Sequence, residues 1–492
     1  MSAAIGILGF FLALALVLGV RARRGRPATL EEWSVGGRGF GTAFVFLLMA
    51  GEIYTTFTFL GGSGWAYGKG APAFYILCYC PLAYVMSYFL LPPVWRYAKE
   101  HALVSQADFF ASKYGSPALG IVVSVVSVAA IVPYLVLQLR GLGIIVSETS
   151  YGAVSAEAAV WVGSAALVTY VVVSGVRGSA WTAVIKDLMI LVVAVALGAY
   201  LPLRYYGGIQ PMFEAVDRAR PGFLTLPSTG MSPSWFISTV VLSALGFYMW
   251  PHTFGSTYTA RDEGVFRKNA VLLPLYQVVL LFVFFVGFAA ILQVPGLTGA
   301  DADLSLLRVA KQALPPWVVG TVGAAGLLTA LVPGSMLLMT VCTLLAKNVY
   351  AKVRPGTGEA TIAMLAKALV PLVALLTVYI TFRGGATLVA LLLMGYNIVT
   401  QLFPALVLSL PRRPLATRGG ALAGILAGEA TVTYLTLSHH TMATLFPSWP
   451  AVVTDLNVGI VALVTNVVVL GVVSAVGRRS EGRAELAHAR LA

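Results

Sequence analysis

Two adjacent residues of opposite charge, Lys186 and Asp187, lie a few residues into the apolar run 181–200. Glu52 interrupts another apolar run, 40–67, close to its middle. A charge inside the hydrocarbon layer costs at least ~2.5–3.5 kcal/mol, so such residues are usually paired and usually functional. A basic and an acidic group in two separate spans predict a polar pathway through protein, which points to transport. A lysine balanced between burial and a neighbouring carboxylate can take up and release a proton, so Lys186, Asp187 and Glu52 are candidate coupling residues. The structural alternative for Lys186 is a local pair with Asp187, or a stem that snorkels to the membrane surface.

Other polar residues in apolar surroundings are candidates for substrate contacts. Tyr54, Thr55 and Thr56 follow Glu52 and could meet a substrate carboxylate, or back-bond to their own helix. Gln138 lies at mid-to-outer depth in the run 117–140. Trp250 and His252 flank Pro251, and a histidine can titrate in the physiological range or serve as a hydrogen-bonded structural residue. Tyr396, Asn397 and Gln401 share one helical face by their spacing. Such a stripe lines a substrate or glues two helices together.

The elements that carry these residues are membrane helices. The chain is 59% hydrophobic and only 10% charged, with mean hydropathy +0.87, too little charge to cover a soluble surface of this size. We read about thirteen spans of ~20 apolar residues: 3–20, 40–66, 72–93, 117–140, 156–174, 180–200, 235–255, 270–293, 316–346, 360–382, 387–411, 416–438 and 456–477. The net charge of +13 sits in short loops. Arg21 to Arg26, Arg96, Lys99, Lys113, Arg177, Arg261, Arg267, Lys268, Lys347, Lys352, Arg354, Arg412, Arg413, Arg418 and the tail arginines Arg478, Arg479, Arg483 and Arg490 alternate with loops poorer in base. That is the positive-inside pattern rather than a nucleic-acid surface. It predicts a multi-pass plasma-membrane protein with its N-terminus outside and its C-terminus in the cytoplasm. The first run is read as a retained helix, because its arginines follow it rather than precede it.

The loop Glu100–Ser116 reads as a short amphipathic helix on the inner surface, capped by Ser105 with Asp108 behind it. Pro211–Arg218 reads as a second short helix. Cys78, Cys80 and Cys342 fit no metal or redox spacing.

Two spans should be discontinuous. Ala50-Gly-Glu-Ile-Tyr-Thr-Thr56, followed by Gly61-Gly-Ser-Gly64, places glycine, a carboxylate and hydroxyls at mid-membrane. In Gly246-Phe-Tyr-Met-Trp-Pro-His252 the proline cannot donate to a helix ladder. Two such breaks five spans apart suggest the paired halves of an inverted repeat, with a binding site between them.

These segments resemble the sodium:solute symporter family, which has a LeuT-type 5+5 inverted-repeat fold. Phe57-Thr-Phe-Leu-Gly-Gly-Ser-Gly-Trp-Ala-Tyr67 is similar to its first broken helix, and Ser174-Gly-Val-Arg-Gly-Ser-Ala-Trp-Thr182 to a glycine turn entering the next helix. Thr343-Leu-Leu-Ala-Lys-Asn-Val-Tyr350 resembles the end of its cation-binding helix, and Tyr396-Asn-Ile-Val-Thr-Gln-Leu-Phe-Pro404 a substrate-lining helix. Glu52-Ile-Tyr-Thr-Thr-Phe-Thr58 and Trp250-Pro-His252 look closest to the branch containing bacterial monocarboxylate permeases. The resemblance implies an all-α integral membrane domain: an extra helix at 3–20, a first repeat at 40–200, a second at 235–411, two further helices at 416–477 and a tail at 478–492.

The resemblance also implies a cation site, from which this chain departs. The family's metal ligands correspond to carbonyls of Gly51, Tyr54 and Thr329 and to two hydroxyl residues. Here those two are Val332 and Pro333, and Ala183 stands where an aspartate is usual. Three oxygens are lost, while Lys186 appears one helical turn beyond the third. The expectation is that the Lys186 ammonium replaces the cation, perched near Glu52, and that transport of a small monocarboxylate is coupled to H⁺ or is Na⁺-independent. The alternatives are a Na⁺-coupled symporter of an amino acid or other small carboxylate, its site rebuilt from Thr329, Ser335 or Thr340, and a membrane sensor. The chain shows no metalloprotease, hydrolase or nucleotide-binding motif, so neither enzyme nor ATP-driven pump is expected. No cofactor, nucleic acid or obligatory protein partner is implied; the partners are a small solute and the bilayer.

Overall fold

The computed structural model describes residues 2–23, 29–438 and 440–491, with side chains for 2–22, 29–438 and 440–478. Arg23, Arg24, Arg26, Arg479, Arg483 and Arg490 of the basic-loop pattern lie outside the described side chains. The described residues are helical apart from turns and a single bridge between Phe40 and Ala260.

The elements that matter below, in chain order, are α1 (Ser2–Arg23), α2 (Thr42–Ile53), α3 (Gly62–Lys69), α4 (Tyr75–Glu100), α5 (Gln106–Tyr114), α6 (Pro117–Thr149), α7 (Ala156–Tyr206), α8 (Pro233–Gly246) and α9 (Pro251–Thr257). They continue with α10 (Gly264–Gln277), α11 (Val279–Gln293), α12 (Ser305–Ala313), α13 (Pro316–Thr343), α14 (Glu359–Thr381), α15 (Leu388–Val399), α16 (Arg418–Leu437) and α17 (Val458–Leu491). Ten helices are long and apolar enough to cross a membrane, or up to twelve with two bent pairs, among the described residues. The bent pairs are α2 with Phe57–Lys69, at 49°, and Pro233–Met249 with α9, at 55°. These are the two spans in which the sequence places breaks.

Helix α7 is counted once but has 51 residues. A straight rod of that length would run about 76 Å, more than twice the ~30 Å hydrocarbon thickness. It folds back at Gly175, whose φ of 63° and ψ of −165° are non-helical. Only glycine serves there: the φ is positive, which a side chain would strain, and a Cβ would lie 2.7 Å from Trp33 Cδ1. The turn expected from Ser174-Gly175 is therefore real, and α7 is two spans.

Helix α13 is the central post, with 94% of its most apolar window buried. Helix α1 packs across it and α7: a Cβ on Gly320 would meet Ala4 Cα at 2.7 Å, and one on Gly19 would meet Ser174 Cβ at 2.9 Å. On the other side α16 and α17 pair closely, with Gly424 against Leu470. Small residues let backbones approach, which drives helix association where the surroundings are as apolar as the side chains. The outer girdle is apolar: Phe89, Leu275, Leu372 and Val472 are exposed.

The short helix expected from 211–218 is Ile209–Ala219. Helix α5 starts as expected, with Ser105 Oγ accepting from the Asp108 N–H. It does not lie on a surface, however. Gln106, Ala107, Phe109 and Phe110 are fully buried, so α5 is a plug between the ends of the spans. The apolar face read as membrane-facing is covered by protein instead.

Candidate functional site

The first break is built by its own hydroxyls. Helix α2 ends at Ile53 because Tyr54 has ψ 78°. Thr58 Oγ1 then donates to the Ile53 carbonyl at 2.7 Å and accepts from Thr55 N at 3.1 Å, while Thr55 Oγ1 accepts from Phe57 N at 3.1 Å. The hydroxyls replace the lost ladder bonds, and the chain restarts as a π-helical turn over Phe57–Gly61. The carbonyls of Gly51 and Tyr54 are left facing α7.

Lys186 fills that position. Its Nζ lies 3.1 Å from the Tyr54 carbonyl and 3.4 Å from the Gly51 carbonyl, and pairs with Asp187 Oδ1 at 2.6 Å. The lysine is 0% exposed, so it does not snorkel. It also makes no ion pair with Glu52. Tyr276 closes the cluster, accepting the Tyr54 hydroxyl on its carbonyl at 2.9 Å and donating its own hydroxyl to the Asp187 carbonyl at 3.1 Å. The hydroxyls of Thr329 and Ser335 donate to the Gly326 and Val332 carbonyls of their own helix, and Ser335 Oγ also lies 2.8 Å from Ser179 Oγ of α7. Val332 and Pro333 present no side-chain oxygen.

Glu52 joins the two breaks. Its Oε1 accepts from Ser256 Oγ of α9 at 2.6 Å, and its carbonyl accepts from Tyr134 OH of α6 at 3.1 Å. At the second break, Trp250 is extended (ψ 124°) and α9 begins at Pro251, where a missing N–H costs nothing. The Met249 carbonyl freed there accepts from Gln106 Nε2 of the α5 plug at 2.8 Å.

Between the breaks lies a cavity of about 10 Å³, lined by Glu52, Phe57, Tyr134, Trp250, His252 and Tyr396 among others. A second cavity of about 20 Å³ runs from Ser34, Ser105 and Gln106 past Met336 and Thr340 to His252. His252 is the residue common to both, so it separates the central cavity from the α5 face.

The candidate residues thus divide. Glu52, Trp250, His252 and Tyr396 line the central cavity. Tyr54, Lys186 and Asp187 form the cluster behind it. Thr56 donates to Gln138 Oε1 at 2.8 Å, outside the cavity lining. Asn397 and Gln401 are also outside it: Gln401 Nε2 bonds the Asn397 and Gly459 carbonyls, and Asn466 Nδ2 bonds the Gln401 carbonyl at 2.7 Å. They clamp α15 to α17. Reading from sequence missed Ile53, Phe57, Tyr79, Tyr134, Phe247, Thr253 and Leu392 in the lining. The four-residue spacing of Tyr75 and Tyr79 was a signal for Tyr79. Nothing marked Tyr134 except the preceding proline.

Two networks cap the site at opposite faces. On the α5 face, Asp108 takes Lys347 Nζ at 2.6 Å, Asn348 Nδ2 at 2.7 Å and the Val104 N–H at 3.3 Å. Burial alone would raise the Asp108 carboxyl, but Lys347 and these donors hold it below its ordinary value. On the other face, Asp303 is fully buried in the loop before α12. It accepts from Leu388 N at the start of α15 and lies against Gly64 of α3. Burial pushes its carboxyl up to about 7, with the Leu388 N–H and Arg140 opposing and Asp301 adding to the rise.

The model of the sodium:solute symporter family matches residues 33–428. An uncharacterized symporter of Bacillus subtilis (strain 168), YhjB, is 62% identical over 484 residues, 98% of this chain and 99% of that protein. A monocarboxylate transport permease protein of Rhizobium johnstonii is 30% identical over 449 residues, 88% of each chain. Among solved structures, a substrate-bound, outward-open Na⁺-coupled sialic acid symporter superposes with TM-score 0.76 at 17% identity, covering 96% of this chain and 97% of that one. MhsT in complex with L-phenylalanine superposes with TM-score 0.51 at 13% identity, covering 87% and 98%. The fold is the LeuT-type inverted repeat with two discontinuous helices, and the chain belongs to the sodium:solute symporter family.

Proposed function

We propose that this transporter takes up a small monocarboxylate by alternating access, coupled to protons and independent of Na⁺, with the Lys186 ammonium standing where the family holds its cation. The observation that carries this reading is the placement of Lys186 Nζ on the Tyr54 and Gly51 carbonyls. Those carbonyls correspond to the family's cation ligands. An ammonium is a compact cation with three donors, suited to carbonyl oxygens and one carboxylate. The missing hydroxyls at Val332 and Pro333 agree with a site that needs no Na⁺ ligands there. The substrate class rests on the Rhizobium relative, named as a monocarboxylate permease. The orientation, N-terminus outside and C-terminus cytoplasmic, rests on the loop charges.

The test is uptake of labelled lactate and pyruvate into proteoliposomes, under a proton gradient without Na⁺ or a Na⁺ gradient without a pH difference. The wild type should accumulate substrate under the first alone, and Lys186→Gln should lose accumulation. A Na⁺ requirement, with coupling intact in Lys186→Gln, would overturn the reading.

A further inference from the structure

Helix α1 touches the rest of the protein closely near both its ends. Ala4 lies against Gly320 of α13, and Gly19 lies against Ser174 of α7. Between these contacts α1 stands off, and a Cβ on Gly9 would meet nothing within 4 Å. A groove of about 290 Å³ runs there. It is lined by Gly9 and Leu12 of α1, Val146 of α6, Val162 of α7, and Leu327 and Leu331 of α13 among others. Its floor is closed, since a Cβ on Gly163 of α7 would lie 2.1 Å from Leu142 Cδ2 of α6. With α1 fixed at both ends, the groove cannot shut by a simple inward slide of that helix.

The lining decides what fits. Its one hydroxyl residue is Ser150, whose oxygen donates to the Ser147 carbonyl and accepts from the Val154 N–H. A buried water needs two to four polar partners, and no free one is on offer. The groove opens beside Ile5 and Val162, which are exposed on the apolar girdle, so its mouth meets hydrocarbon. An apolar cavity of about 150 Å³ holds one benzene, and this groove is about twice that. A membrane helix about 10–12 Å across would fill roughly 900 Å³ over residues 5–12 and is too large to enter. A hydrocarbon chain is slim enough, and it restores the dispersion contacts that the lining side chains otherwise lack.

We infer that this groove is a lipid site, holding one acyl chain of a bilayer phospholipid between α1 and the α6, α7 and α13 wall. Leu327 and Leu331 are one helical turn apart and bracket Thr329 in sequence. The chain therefore lies against the turn of α13 whose carbonyl corresponds to a family cation ligand. The site goes beyond the transport reading and is independent of the substrate and the coupling ion.

The test uses the full chain in proteoliposomes of phosphatidylethanolamine and phosphatidylglycerol. A trace of the phosphatidylethanolamine carries a photoactivated diazirine midway along one acyl chain, and adducts are mapped by peptide mass spectrometry. The wild type should carry several times more adduct on Leu12, Leu327 and Leu331 than on Leu372 and Val472 of the outer girdle, although Leu327 and Leu331 are buried. Gly9→Leu puts a side chain into the groove and should lose that excess. Gly6→Leu, on the same helix but outside the lining, should keep it. A Cβ meets nothing within 4 Å at either position, so both variants should fold, which thermal melts check. Equal labelling of groove and girdle overturns the inference, as does a groove without adducts because a second copy covers it. An excess that survives Gly9→Leu in folded protein overturns it too. If Gly9→Leu does not fold, the wild-type distribution still decides.

Discussion

Asp303 Oδ2 accepts the backbone N–H of Leu388 at 3.0 Å, so the loop before α12 is pinned to the first turn of α15 directly above the aromatic cavity. Gly64 makes the fit possible, since a Cβ there would lie 2.7 Å from Asp303 Oδ1. The docked loop holds the carboxyl at about 7, whereas a solvated aspartate ionises near ~3.9. The docked form therefore binds the proton more tightly. Docking should be strongest below ~3.9, weaken as pH rises to about 7, and change little above that. Labelling of a cysteine placed at Leu304, divided by that of a free thiol at the same pH to remove the thiolate's own rise, should increase from pH 5 to pH 7. Asp303→Asn should flatten the curve at its low-pH level.

Removing Lys186 should destabilise the fold as well as alter transport. Asp187 is 4% exposed, and breaking a buried pair from one side costs about 3–5 kcal/mol. Thermal melts in detergent should show a large drop for Lys186→Met. The double variant with Asp187→Asn should recover most of it, because no charge is then stranded.

Glycine substitutions should separate close backbone contact from open space. A Cβ on Gly287 of α11 would lie 2.2 Å from the Ser63 carbonyl, and Ser63 is in α3. Overpacking of this kind costs about 1–3 kcal/mol, and here it also bears on a half-helix beside the break. Gly287→Ala should lower both melting temperature and uptake. Gly334→Ala, whose Cβ would meet Leu167 at 3.5 Å and Gln138 Cβ at 3.8 Å in ordinary side-chain contact, should change neither.

Asp108→Asn should lower stability at neutral pH by about 2 kcal/mol, the scale of hydrogen bonds to a charged group. The wild-type carboxyl is held below its ordinary value, so its contribution is present above ~3.9 and is lost as pH falls below that. Melting temperatures of wild type and variant should converge on acidification toward about pH 3.

Much of the fold was legible because hydrocarbon-length runs and loop charges are one-dimensional signals. Pro251 and the Gly51–Glu52–Thr55 cluster marked both breaks for the same reason: each is a local defect in helix chemistry. The site was only half legible. Lys186 stood out because a charge in an apolar run needs a partner. Tyr134 and Tyr79 did not, since a tyrosine in a membrane span carries no sign of which helix it will face. Asn397 and Gln401 looked like substrate ligands by their spacing, yet spacing fixes only the face, and α17 covers that face. Helix α5 misled in a similar way, because an apolar face looks the same whether lipid or protein covers it.

A cation on a covalent stem has no concentration. A diffusible ion biases a transporter by mass action, so its influence rises and falls with the medium and vanishes on dilution. Lys186 sits on the Tyr54 carbonyl because the backbone brings it there, and no change of external salt can wash it away. If Lys186 stands in for the cation as proposed, the bias it gives the first break does not vary with dissolved salt, and it is inherited with the gene rather than drawn from the surroundings.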